Sequence, residues 1–377
     1  MPPTTPTPAK RKRGEGQWKL GYREPLNPNE RTKKDDDGLN VRARIETVYS
    51  QRGFDSIDPA DLRGRMRWWG LYTQRRPGID GGRTAVLEPE ELDDRYFMLR
   101  VRIDGGALST DQLRLLGEIS QDHARGTADV TDRQNIQYHW IEIEDVPAIW
   151  QKLEGAGLLT TEACGDTPRV ILSSPVSGIA ADEEIDPRPA IDTIIERWVG
   201  DPQFSNLPRK FKSAISWQQD VAHEVNDISF IGSVHPEHGP GFDLWVGGGL
   251  STNPMIAKRL GVWVPLDEVP DVWAGVISVF RDYGYRRCAT APASSSSWPT
   301  GAWRSSARCW RTSTSAASSS TGRRRPPRSA RSTTSASTGR RTGATTSASR
   351  RPPGASPGPR CSRWPRPRRT PGRGACG

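Results

Sequence analysis

Phe97-Met98-Leu99-Arg100-Val101-Arg102-Ile103 alternates apolar and polar residues, the period of a strand with one buried and one polar face. Gly105-Gly106 turns the chain. Ser109, with Gln112 three residues on, predicts a capping box opening a helix whose face carries Leu113, Leu116 and Ile119. Ala128 to Val130 and Ile136 to Ile143 read as two further strands. The second presents Ile136, Tyr138 and Trp140 on one side and Gln137 and His139 on the other. A second helix runs from Val146 to Gly157. The order βαββα is most of a ferredoxin-like unit.

Upstream, residues 1–40 are polar and Pro-rich, with the charge run Lys33-Lys34-Asp35-Asp36-Asp37, and predict a disordered or surface-wrapped segment. They lack the apolar core of a secretory signal. Residues 41–90 form a helical and aromatic-cationic segment. Val41, Ile45 and Val48 share a helix face, Asp58-Pro59 opens a short helix through Leu62, and Arg67-Trp68-Trp69-Gly70-Leu71-Tyr72-Thr73-Gln74-Arg75-Arg76 follows, its two Trp read as core. Downstream, 158–287 mixes α and β. Strands are expected at Arg169–Leu172, Phe211–Trp217, Ile228–Val234 and Gly241–Val246, and helices at Ala190–Trp198 and Pro270–Tyr283. The fold class is α+β: a ferredoxin-like βαββα half-domain over 91–157, then a mixed α/β domain over 158–287, with disordered N- and C-terminal tails.

From Cys288 to Gly377 the alphabet collapses to Cys, Ala, Thr, Pro, Ser, Trp, Gly and Arg. Such a segment has little to bury and is expected to have no fixed fold. Its 18 Arg account for the net charge of +10, so residues 1–287 carry −8. The basic balance is therefore poor evidence for nucleic-acid binding, and no nucleic-acid partner is expected, although an Arg-rich tail that binds nucleic acid is the rival reading. Residues 288–303, CATAPASSSSWPTGAW, can be encoded so that a one-base shift reads LRHRARLKFLVADWGV, which resembles ordinary protein. Out-of-frame translation after Arg287 is the expectation; a natural low-complexity basic tail is the alternative. There is no run of 18 apolar residues, so no membrane span is expected. Cys164 is the one thiol before the tail, which fits a reducing cytoplasm. His223, His235 and His238 lack metal-ligand spacing and read as loop residues.

Cations recur at strand ends. Arg100 and Arg102 alternate on one strand, Arg133 lies in a turn, Arg169 starts a strand, and Lys210 and Lys212 alternate after Leu207-Pro208-Arg209. Converging, they would hold a polycarboxylate or an oxyanion, Arg by bidentate contacts and Lys as a point charge; each alone reads as a solvated surface side chain.

MLRVRIDGG (98–106), ADVTDRQNIQYHW (128–140), TPRVILSSP (167–175), LPRKFK (207–212), NDISF (226–230) and VGGGLS (246–251) together resemble the siroheme-dependent ferredoxin sulfite and nitrite reductases, over about 46–287. The resemblance makes 158–287 an incomplete siroheme-binding domain. It implies that Arg100, Arg169, Lys210 and Lys212 surround the substrate anion as catalytic residues. It also implies that Arg133, Asn135, Gln137 and His139 contact siroheme, with Arg102 on the same face, and that Gly247, Gly248 and Gly249 let backbone approach the macrocycle. The expected reaction is six-electron reduction of sulfite to sulfide with reduced ferredoxin as donor. Lys212, where plant-type nitrite reductases commonly carry Asn, favours sulfite, and nitrite is the alternative. A Tyr72–Cys164 contact, or a thioether between them, is a further expectation; otherwise Cys164 is a buried small residue. A cytoplasmic monomer is expected. The family's [4Fe–4S] cluster is held by four Cys in two motifs of its C-terminal half. Here Cys288, Cys309, Cys361 and Cys376, spaced by 21, 52 and 15 residues, match neither motif. The chain as it stands is thus expected to be inactive, at most a non-catalytic siroheme- or anion-binding fragment.

Overall fold

In the computed structural model the alternating stretch closes a long central strand, Asp93–Val101 (β2). The structure describes residues 28–80, 83, 87, 91, 93–250, 254–284, 286 and 323–324, all within the first of two compact units, 1–327. On one side β2 pairs antiparallel with Leu71–Arg75 (β1), and on the other with Ile136–Ile141 (β4), which carries the two-residue edge strand Asp129–Val130 (β3). The aromatic-cationic string thus contains a strand, which its cations obscured.

The helix over Thr110–His123 starts where the capping box places it. Ser109 accepts from the Gln112 amide, and the Gln112 side chain accepts from the Ser109 amide. Such a cap stabilises a helix end by about 1 kcal/mol. Leu116 and Ile119 are buried, whereas Leu113, expected on the same face, is 60 % exposed. With Val146–Gly155 this helix covers a core of Leu99, Val101, Tyr138, Ile149, Trp150 and Leu153, and Trp68 and Trp69 are buried in that core as expected. One alternation fails. Trp140 sits at φ +69°, the register of β2 against β4 shifts between Phe97 and Leu99, and Trp140 leaves the face that Ile136 and Tyr138 share. A bulge of this kind re-aims a side chain.

The second sheet runs β10-β9-β8-β7-β6-β5, with the two-residue strand Arg323–Arg324 as β10. Pro168–Leu172 (β5), Phe211–Ser216 (β6) and Ile228–His235 (β7) are parallel; Gly239–Val246 (β8) and Lys258–Val264 (β9) continue antiparallel. Helices Arg188–Trp198 and Val269–Tyr283 bury Ile191, Ile194, Trp273, Ile277 and Phe280 against it. The strand β9 was not expected, because its Gly261 and flanking cations break the apolar run.

One terminal expectation changes. Residues 28–40 are not an extended tail: Pro28–Asp35 is a helix (α1) whose Glu30 and Lys33 are buried. Its charges are paired with one another and with the body, so their polarity did not signal exposure. The expectation for 1–27 lies outside the described residues. So does that for 288–377, except that Arg323–Arg324 pair with Trp263 and Val262 along the open edge of β9. Among the described residues no helix is long and apolar enough to cross a membrane.

Candidate anion pocket

Arg100 is fixed by its strand. Its amide donates to the Gly70 carbonyl at 2.9 Å, and its guanidinium donates to Gln137, its cross-strand partner on β4. Gly70 has φ +79°, and a Cβ there would stand 2.6 Å from the Arg100 carbonyl, so only glycine lets β1 approach so closely. Arg169, nearly buried at the start of β5, donates from Nε to the Ala163 carbonyl at 2.9 Å. Lys210 lies just before β6.

These three side chains line one cavity of about 380 Å³. Arg67, Trp68 and Tyr72 form another wall, Arg209 and Asp166 a third, and Asn29, Thr32 and Lys33 of α1 a fourth. Burial, then the charges of Arg169, Lys212, Arg209 and Arg100, push the Lys210 ammonium down to about 8. Lys212 is lowered by burial and by Arg133 and Arg169. The four cations expected around an anion therefore sense one another. Repulsion among them is the electrostatic condition for capturing an anion, whose arrival relieves it.

Arg133 reaches across to the second sheet, donating to Asn226 Oδ1 at 2.7 Å and to the Val170 and Ser213 carbonyls. Burial and Arg169 lower it to about 10. Asp227, beside it, accepts from the Lys212 amide at 2.7 Å, and burial raises its carboxyl to about 7. Tyr72 and Cys164 are neighbours: burial and then the thiol raise the Tyr72 hydroxyl, and the Arg67 guanidinium lies 5.2 Å from its ring centre. Cys164 is a buried free thiol.

Other expected site residues fall elsewhere. Arg102 does not join Arg100, because β2 ends at Val101 and the Arg102 amide turns to Leu159. Its guanidinium is buried, clasping Asp104 and the Thr161 and Pro168 carbonyls. His139 pairs with Asp129 at 3.0 Å on the partly exposed sheet edge. Gly248 is required by the chain's own packing: a Cβ would meet the Glu224 carbonyl at 2.2 Å. Gly247 takes φ +84°, Gly249 pairs with Met255, and the Gly247 and Gly248 amides donate to the Asp227 and Asn226 carbonyls, which puts this turn next to Arg133 and Lys212. His223 and His235 are buried rather than looped out. His223 packs on Trp245, and His235 stacks on His238 at 4.5 Å.

Sequence reasoning missed Asn29, Thr32, Lys33 and Asp166 as pocket walls, and Arg67 and Arg209 as pocket cations. The one usable signal was Pro28 at the first position of a helix.

A carboxylate-rich group such as siroheme fits these residues. Arg100 Nε and Arg133 Nε are buried donors with no hydrogen-bond partner among the described residues, beside an excess of positive charge. A [4Fe–4S] cluster does not fit them. Cys164 is the one cysteine among the described residues, and no three His, Cys, Asp or Glu side chains there are grouped to hold a metal.

Two family models match the chain: the nitrite/sulfite reductase ferredoxin-like half domain over residues 89–156, and the nitrite and sulphite reductase 4Fe-4S domain over 164–290. "Sulfite reductase [ferredoxin] 2" of Mycolicibacterium paratuberculosis is 66% identical over 284 residues, 75% of this chain and 51% of that protein. "Ferredoxin--nitrite reductase" of Leptolyngbya laminosa is 36% identical over 267 residues, 69% of this chain and 49% of that protein. The solved structure of the Mycobacterium tuberculosis NirA protein superposes with TM-score 0.77 at 57% identity, covering 83% of this chain and 57% of that one. The chain spans about half the length of the curated relatives it matches. Over residues 89–290 the chain belongs to the nitrite and sulphite reductase family.

Proposed function

We propose that this chain carries the anion-capturing half of a siroheme-dependent, ferredoxin-coupled reductase that converts sulfite to sulfide. The observation that carries the reading is the convergence of Arg100, Arg169 and Lys210 on one cavity, with Lys212 close enough to depress Lys210. Relatives named as sulfite reductases, at 64–66% identity, favour sulfite over nitrite, whose reductases match at 33–36%. That the one cysteine among the described residues is a buried free thiol supports a reducing, cytoplasmic setting.

Arg100 and Arg169 would hold the oxyanion and stabilise charge building on its oxygens. Lys210, titrating near 8, would deliver a proton from Nζ as an S–O bond breaks. Arg133 would hold siroheme carboxylates through its guanidinium N–H groups, with Gln137 bracing Arg100 and Asn135 contacting the group through its side-chain amide. When bound, that group supplies the electrons at its iron. Tyr72 would line the pocket with the buried Cys164 near it, and a thioether between them, formed by loss of two hydrogens to an external two-electron oxidant, would show as a mass lower by one H2. No step is assigned to an iron–sulfur cluster, for which the described residues offer no set of thiolates.

Calorimetric titration of the purified chain with sulfite tests the reading. Saturable binding that Arg169→Met abolishes is expected. Unchanged binding in that variant would remove the pocket as the site.

A further inference from the structure

The cavity has one weakness as an anion site. Asp166 lines it beside Arg169, Arg209 and Lys210, and is the one carboxylate among its lining residues. A free carboxylate there would compete with any bound anion for the same cations. The structure contains a device that restrains it. Lys33 Nζ, on α1, donates to Asp166 Oδ2 at 3.1 Å, to Glu30 Oε1, and to the Leu207 carbonyl at 2.8 Å. All three N–H bonds of this ammonium are directed, and its side chain is 3 % exposed.

The pairing extends in both directions. Glu30 also accepts from Arg286 Nη1 at 3.0 Å, and Asp166 Oδ1 faces Arg209 Nη1 at 3.5 Å. A chain of alternating charge, Arg286–Glu30–Lys33–Asp166–Arg209, therefore runs from behind the last helix, through α1, to the pocket wall.

We propose that Lys33 is a positioning residue for the anion pocket: it holds Asp166 in a buried pair, away from Arg100, Arg169 and Lys210, and so leaves those three cations uncompensated for an incoming anion. The inference rests on the pocket reading above and adds a residue outside every family motif quoted. Charge at this range acts strongly in a partly buried site, so the unrestrained carboxylate is expected to weaken anion affinity about tenfold.

The test uses the full-length chain and sulfate, whose charge is constant across neutral pH. Lys33→Met, with its helical content intact, should bind sulfate about tenfold more weakly than the parent. Adding Asp166→Asn to it should restore affinity to within about twofold, because the competing charge is gone. A purely structural role for Lys33 predicts no such rescue. Parent-like binding by Lys33→Met overturns the inference, and so does failure of rescue in the double variant. If Lys33→Met does not fold, Lys33→Gln takes its place in the same comparison: binding about tenfold weaker that Asp166→Asn restores supports the inference, and parent-like binding or no rescue overturns it. No sulfate binding by the parent chain overturns the pocket reading together with the inference. Parent binding without rescue overturns the inference alone.

Discussion

Arg133 Nη1 donates to Asn226 Oδ1 at 2.7 Å, joining the turn before β4 in the first sheet to the turn before β7 in the second. The same guanidinium bonds two carbonyls of the parallel strands. One side chain thus fixes how the two sheets meet at the pocket. Asn226→Ala should cost about 1–3 kcal/mol, the penalty for leaving a buried donor unsatisfied. Urea unfolding checks it; a midpoint unchanged from the parent would show that the contact carries no weight.

Sulfate affinity should fall as pH rises through about 8, where the depressed Lys210 loses its charge. Lys210→Met should bind more weakly at neutral pH and lose this dependence. Between the folded value and the higher ordinary lysine value the unfolded chain binds more protons, so Lys210 makes stability rise with pH in that window. Affinity that is flat from about pH 7 to about pH 9 in the parent would show that Lys210 does not titrate there.

Glu162, buried beside Arg102, has its carboxyl raised to about 8, chiefly by burial. The sign is opposite to that for Lys210. Over the range between the ordinary carboxylate value and about 8, the folded chain binds more protons, so stability is full in mild acid and lost as pH rises. Glu162→Gln should remove that loss and unfold at higher urea than the parent at about pH 8, with little difference at about pH 5. Equal midpoints at the higher pH would contradict it.

The alphabet changes at Cys288, two residues after the buried Arg286 and within two residues of the end of the matched family model. Restoring the frame near the Arg287 codon should yield a longer chain with two paired-Cys motifs that binds siroheme and a cluster. Sequencing the gene and recording the spectrum of the product check this, and an early stop or an absence of paired Cys defeats it. In that enzyme Lys212→Asn should reduce sulfite turnover more than nitrite turnover, as steady-state rates on the two substrates would report.

The sheets were legible because alternation survives in Phe97–Val101 and Ile136–Tyr138, and the capping box marks its helix within a residue. Arg100, Arg169 and Lys210 were legible from family motifs, not from spacing. Arg102 was misplaced because period-two reasoning assumes that the strand continues, and this one peels away at Val101. Lys33 was hidden for another reason. A charge run looks solvated until its partners are known, and Asp166 and Arg286 lie 133 and more than 250 residues away.

That separation sets an order of assembly. Glu30 cannot find Arg286 until nearly the whole described body has been made, whereas Lys33 can already reach Asp166 and the Leu207 carbonyl, so the line of alternating charge is completed from its pocket end. The helix that carries Asn29 and Thr32 therefore gains its last buried charge partner only when residue 286 is made, and a nascent chain halted short of that residue would lack the Arg286–Glu30 pair.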